Sequence, residues 1–421
     1  MSNDIRTCNA TGLSDFSWQW LLAAVYFLVV ASWSLGIAFN GGPDESTHFF
    51  LLEFLNSAHT LPLASEPHEA FVGAISGHTW QKGDFWYHGL PFPHVLGALA
   101  TTYASSFLVS PDMLYLGARS FNWILGGVFI CALFRTARAI GLSAVVSALI
   151  AGIVALIPQV TFVFSYFNSD AYGLASIALL ISTLTHFIQS PIRKRALYFG
   201  LAVGLMLMAK LYFIPALVFA FVMLLSVRVF KNKQVLAHIS TTVVAALVLA
   251  LPMLALVYYR YGEISGLSGQ LEFVNLHRFN PAAGFGTCYF LCEHEFFNTA
   301  NLWPWLGLTF KSYFSVTGWM NLFIPTAYYQ LAAFALLGVI GVALDQIKPL
   351  SAAEPRRDIL LDYVLPLVMI IGLFPAMTLF SLIASQNSLP QPQGRYLFVT
   401  IPFLGLLLSL TAKRLIERVA K

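Results

Sequence analysis

The stretch WQWLLAAVYFLVVASWSLGIAF, Trp18–Phe39, contains no charged residue. A bilayer core of roughly 30 Å takes about 20 apolar helical residues, so this run is long enough to cross one. The polar segment before it holds Asp4 and Asp15 and has no small-residue cleavage site. The run is therefore expected to be a retained first transmembrane helix, not a removed signal peptide.

Comparable runs recur along all 421 residues, of which 58% are hydrophobic and 10% charged. Those fractions exclude a soluble domain, and the absence of short alternating segments excludes a large β-barrel. The expected fold class is all-α, a polytopic transmembrane helical protein forming one integral membrane domain over 1–421. About ten crossings are expected: Trp18–Phe39, Leu114–Phe134, Leu142–Phe164, Ala171–Ile188, Ala196–Ala209, Tyr212–Val227, Val235–Tyr258, Leu322–Leu344, Ile359–Ala384 and Tyr396–Leu410. Pro91 to Ser110 is placed as an interfacial helix on the outer face. Ala196 to Val227 reads as a hairpin with Lys210 at its outer turn, because basic clusters stand at both its ends. No internal repeat or low-complexity tract is visible.

Lys and Arg orient the chain. Sixteen of the 23 stand in one set of segments: Arg6; Arg135 and Arg138; Arg193, Lys194 and Arg195; Arg228, Lys231 and Lys233; Lys348, Arg356 and Arg357; Lys413, Arg414, Arg418 and Lys421. These segments and both termini are expected in the cytoplasm. Twelve of the 19 carboxylates fall on the opposite side. The two long connections, a first outer loop over 40–111 and a second over 260–321, also lie there. Long loops in compact proteins usually carry function, so the working face is expected outside.

The densest polar chemistry follows the first helix: Pro43-Asp44-Glu45-Ser46-Thr47-His48. Acids here either meet the positive end of a helix dipole or act as a general base or metal ligands. His48 lies on the same helical face as both acids. Asn168-Ser169-Asp170 is either an N-cap alone or a cap with a second role. Lys210, alone among the basic residues in a long apolar stretch, must snorkel or meet an anion. Arg119 is expected to pair with an acid such as Asp112. Gln391-Pro392-Gln393-Gly394-Arg395-Tyr396 reads as an interface anchor, or as a phosphate contact in which Gly394 allows close approach and Arg395 bonds bidentately. Trp80, Phe85, Trp86, Tyr87, Trp303 and Trp305 suit a membrane-interface belt or sugar stacking. Cys288 and Cys292 are spaced for a local disulfide or a weak metal site, and Cys131 for core filling. No Walker loop, dinucleotide glycine fingerprint or G-x-S-x-G elbow occurs, which argues against ATP- or NAD-driven chemistry.

Pro43, Asp44, Glu45 and His48; Asn168 and Asp170; Lys210; and Gln393, Gly394, Arg395 and Tyr396, in this order, resemble the landmarks of the GT-C superfamily of membrane glycosyltransferases. More closely they resemble a bacterial group of multi-pass proteins with Pro-x-Asp-Glu-x-x-His and Gln-Gly-Arg-Tyr motifs. The resemblance implies a polyprenyl-phosphate-linked sugar donor, an active site at the periplasmic face of the inner membrane, and an acidic catalytic base from the first outer loop. Asp44 and Glu45 are then the catalytic candidates. His48, Asn168, Asp170, Lys210, Gln393, Arg395 and Tyr396 are the substrate-binding candidates. The acceptor would be a cell-envelope glycan or lipid; the other partners would be membrane lipids, with no nucleic acid. No cofactor is required, though Asp44, Glu45, Asp170 and His48 would suit Mg²⁺ or Mn²⁺. The alternatives are a transporter or flippase of lipid-linked sugars, or an outer-face glycan polymerase.

Overall fold

The computed structural model describes residues 14–62, 71–79, 90–107, 110–226, 233–265, 299–347, 360–387 and 392–420. Its helices are α1 (Asp15–Gly36), α2 (Glu45–Ala58), α3 (Phe92–Ser105), α4 (Tyr115–Ile140), α5 (Ala144–Ala155), α6 (Pro158–Ser165) and α7 (Asp170–Gln189). They continue with α8 (Arg193–Leu207), α9 (Pro215–Leu225), α10 (Lys233–Tyr261), α11 (Thr299–Phe314), α12 (Thr326–Asp345), α13 (Leu365–Asn387) and α14 (Ile401–Val419). Among the described residues seven helical segments are long and apolar enough to cross a membrane, or up to eight if the bent pair α5–α6 counts as one. The chain is a polytopic helical membrane protein.

Seven of the ten expected crossings match these long apolar segments and an eighth matches the bent pair; the two hairpin arms, expected over Ala196–Ala209 and Tyr212–Val227, do not match because they are short. α8 has 15 residues and α9 has 11. At about 1.5 Å per residue neither reaches across a ~30 Å core. Between them Lys210 precedes a 3₁₀ turn, Leu211–Phe213, so the apex stands where the sequence puts it. The span expected over Leu142–Phe164 is broken by a 71° bend between α5 and α6. Pro158 opens α6; proline has no N–H to continue the α5 ladder and its ring opposes the preceding turn. The span expected from Leu322 starts at Thr326, because Leu322–Phe323 pairs antiparallel with Val316–Thr317 in a small β-hairpin, β1–β2. The described fold is therefore helical apart from this hairpin and an isolated bridge between Val72 and Thr79.

α4 lies at the centre, against α1, α3, α5, α7 and α14. Phe129 and Phe134 of α4, Phe164 of α6 and Phe403 of α14 are fully buried in one apolar core. Cys131 is half-buried in α4, its thiol donating to the Gln19 carbonyl at 3.2 Å. Trp303 is exposed as a belt residue would be, whereas Trp305 is buried against Leu382. Both ends of the bundle carry ion pairs. At one, Arg138 pairs with Asp15 and Arg418 with Asp345. At the other, Arg119 and Glu45 join the end of α1 to the starts of α2 and α4, and Asp170 at the start of α7 meets Lys210 at the hairpin apex. Cys288, Cys292, Trp80, Phe85, Trp86, Tyr87 and Gln391 lie outside the described residues.

Candidate functional site

The site is built on a buried ion pair. Arg119 of α4 and Glu45 of α2 are fully buried and bidentate, Nε to Oε1 at 2.6 Å and Nη2 to Oε2 at 2.8 Å. Arg119 also donates to the carbonyls of Ser34, Ile37 and Ala38 at the end of α1. Glu45 accepts from the amides of Asn40 and Phe167. One ion pair thus ties the end of α1, the start of α2 and the loop before α7 to α4. The Asp112 partner expected for Arg119 is replaced by Glu45, and Glu45 is consumed in holding the frame.

Two asparagines take over the capping that the neighbouring acids might have done. Asn40 Oδ1 accepts from the Ser46 amide in the first turn of α2. Asp44, the residue before α2, makes no capping bond and sits in the left-handed region at φ 61. Its carboxylate turns instead to Arg395, Nη1 to Oδ2 at 3.3 Å. At α7 the same division recurs. Asn168 Oδ1 accepts from the amides of Asp170 and Ala171, both at 3.0 Å. The Asp170 carboxylate is free for Lys210, whose Nζ lies 2.8 Å from Oδ1, and for the Tyr212 hydroxyl, which donates to the same oxygen. Neither Asp44 nor Asp170 makes a side-chain capping bond, and the anion that Lys210 meets is the Asp170 carboxylate.

A small cleft reaches one member of each pair, Asp170 and Arg395, and is lined also by Pro43, Tyr166, Met320 and Gln393 among others. Burial, and secondarily the negative Asp170, hold the Tyr166 phenol well above its ordinary pKa, so it remains a neutral hydrogen-bond donor. The charges of Lys210 and Arg395 both act on Asp170, placing the two cations in one electrostatic unit. Gly394 passes so close to α11 that a Cβ there would lie 2.2 Å from the Tyr313 amide nitrogen; its own amide donates to Ser312 Oγ at 2.7 Å. This packing fixes the backbone from which Arg395 projects. The tip of the β1–β2 hairpin closes one side, with the Trp319 indole N–H donating to the Asn40 carbonyl at 2.8 Å.

The chain matches the model of a family described as "Predicted membrane protein (DUF2142)" over residues 55–404. It belongs to that family. The DUF2142 match includes Asn168, Asp170, Lys210 and Gln393–Tyr396, and begins after Pro43–His48. No curated protein matches the chain.

In this DUF2142 protein Asp44, Asp170, Lys210 and Arg395 converge, with Tyr396 beside them, its ring edge-on to Tyr212 at 6.0 Å. Gln393 lines the cleft. Asn168 is a buried cap, held by its own bonds to the Val163 and Tyr166 carbonyls. His48 turns away from this group. It is buried and stacks on His94 of α3, Nδ1 to Nε2 at 2.9 Å, with the edge of Phe167 against both rings. Burial, then the nearby His48 and Lys210, hold the His94 pKa well below the ordinary value, so that ring is neutral. With Glu45 on Arg119 and His48 on His94, two of the four expected metal ligands are engaged elsewhere. Among the described residues no three His, Cys, Asp or Glu side chains gather as a metal site. The donor set does not fit Mg²⁺ or Mn²⁺.

Sequence reading missed Asn40, Asn122, Tyr166, Tyr212, His94 and the hairpin tip. Asn122, buried in α4, donates to the Tyr166 carbonyl at 2.7 Å and steadies the loop that carries Tyr166 and Asn168. An amide in the middle of an apolar span was the available signal for it, and Tyr212 was marked by its place two residues after Lys210.

Proposed function

We propose that the chain is a membrane glycosyltransferase of the GT-C type, taking a sugar from a polyprenyl phosphate to a cell-envelope glycan or lipid acceptor. The observation that carries this reading is the meeting of two acids and two cations, from segments as far apart as Asp44 and Arg395, at one end of a helical membrane bundle. Both acids are relieved of capping by asparagines, which leaves their carboxylates for chemistry.

In the reaction, an acceptor hydroxyl oxygen attacks the anomeric carbon as the bond from that carbon to the donor phosphate oxygen breaks. The hydroxyl proton passes to Asp44, acting as general base. The electron pair of the broken bond leaves on the polyprenyl phosphate, where Lys210 and Arg395 meet the growing charge. Tyr166 offers a neutral donor to the sugar or phosphate. One displacement inverts the anomeric centre. Glu45 and Arg119 position Asp44 through the backbone between residues 40 and 45.

The positive-inside distribution supports a reading in which the site faces the periplasmic side of a bacterial inner membrane, with both termini in the cytoplasm. The test is to delete the protein and identify which lipid-linked sugar accumulates, then supply that sugar to the purified protein. A deletion strain in which no polyprenyl-phosphate sugar accumulates, together with no transfer in vitro, refutes the transferase.

A further inference from the structure

The two ion pairs of the site are built differently. Lys210 and Asp170 meet at 2.8 Å with side chains 15% and 6% exposed, and the Tyr212 hydroxyl shares the same carboxylate oxygen. Opening that pair would strand a buried carboxylate, which is costly. Arg395 and Asp44 touch through one nitrogen and one oxygen at 3.3 Å, with side chains 26% and 29% exposed. A guanidinium is a planar fork suited to two phosphate oxygens at once, a fit that this end-on contact does not use.

We propose that Arg395 is an anion-exchange position: Asp44 occupies it in the ligand-free protein, and a lipid-linked phosphate takes it over and releases the Asp44 carboxylate. This rests on the transferase reading and specifies which cation binds the donor first. Lys210 stays with Asp170 and contributes charge from behind.

Release leaves the local fold intact, because α2 is capped by Asn40 and not by Asp44. The backbone at Asp44 is held through Asn40 and Glu45, so the freed carboxylate remains beside the bound phosphate. While paired, the Asp44 Oδ2 atom is taken up by Arg395. The carboxylate therefore becomes available to an acceptor hydroxyl only when a donor phosphate is in place, which limits reaction in the empty site.

The test is equilibrium binding of radiolabelled geranylgeranyl phosphate to the full-length protein in detergent, with geranylgeraniol as the neutral control. Asn adopts the left-handed region as readily as Asp, so Asp44→Asn should fold. Removing the resident competitor should tighten phosphate binding about two- to fivefold, the scale that partly exposed ion pairs are worth. Arg395→Ala should lose the preference over geranylgeraniol, and the double variant should behave like Arg395→Ala alone. Asp170→Asn should give no such tightening. Equal or weaker binding by Asp44→Asn, or the same tightening by Asp170→Asn, overturns the exchange. Tightening toward inorganic phosphate alone overturns the lipid-linked assignment. If Asp44→Asn tightens binding yet the unaltered protein transfers no sugar, the exchange stands and the transferase reading falls.

Discussion

Glu45 and Asp44 are adjacent in sequence and opposite in role. Glu45 has no exposure, and its loss leaves the buried Arg119 guanidinium without its carboxylate partner. Breaking a buried pair by removing one partner costs about 3–5 kcal/mol. Glu45→Gln should therefore lower the thermal midpoint strongly and reduce the yield of monodisperse protein, and Arg119→Met in that background should recover part of the loss. An unchanged midpoint for Glu45→Gln would show that the pair does not hold the frame. Asp44→Asn should do the reverse, keeping the midpoint within experimental error while sugar transfer falls about 100-fold or more, the usual scale for loss of a general base. A folded Asp44→Asn protein with near-normal transfer would remove Asp44 as the base.

At the scale of elements, the site depends on how the hairpin apex rests on α7. Gly173 lies one turn into α7, and a Cβ there would come within 1.9 Å of the Phe213 ring, itself fully buried. Gly173→Ala must push the 3₁₀ turn away and draw Lys210 off Asp170. We expect about 1–3 kcal/mol of destabilisation and a loss of geranylgeranyl phosphate binding, although no charged group is touched. Phe213→Leu in the same protein should restore both. Unaltered binding by Gly173→Ala would show that this contact does not place Lys210. These relations explain what could be read from the sequence. Asp44, Asp170, Lys210 and Arg395 stood out because charges in apolar surroundings need a reason to be there. The partners of Glu45 and His48 were hidden because they come from distant segments, Arg119 from α4 and His94 from α3. The break before Pro158 was written in the sequence and passed over, because the apolar run on both sides suggested one span. The β1–β2 hairpin was hidden in the same way, its apolar second strand running on into α12.

For the whole molecule, the membrane supplies the remaining constraint. A helical bundle in lipid must satisfy its backbone internally, so irregular segments such as the 3₁₀ turn at Leu211–Phe213 and the loop at Tyr166–Ser169 are tolerable only inside protein or beside water. Both lie at the end that gathers Asp44, Asp170, Lys210 and Arg395, and Arg138, Arg195 and Arg418 lie at the other. If Lys and Arg set the orientation, the site end faces out. This is checked with the native cysteines Cys8, Cys131, Cys288 and Cys292 replaced and single cysteines introduced at two exposed positions, Ser57 at the end of α2 and Ser143 in the turn between α4 and α5. In intact cells a membrane-impermeant maleimide should label the Ser57→Cys protein and spare the Ser143→Cys protein; after lysis both should react. Reversed labelling would put the cleft in the cytoplasm. The donor would then have to present its sugar on the inner leaflet, and nucleotide-linked sugars, available only on that side, would become competing donors. The orientation thus decides which donor chemistry the Asp44–Arg395 site can meet, independently of any measurement of turnover.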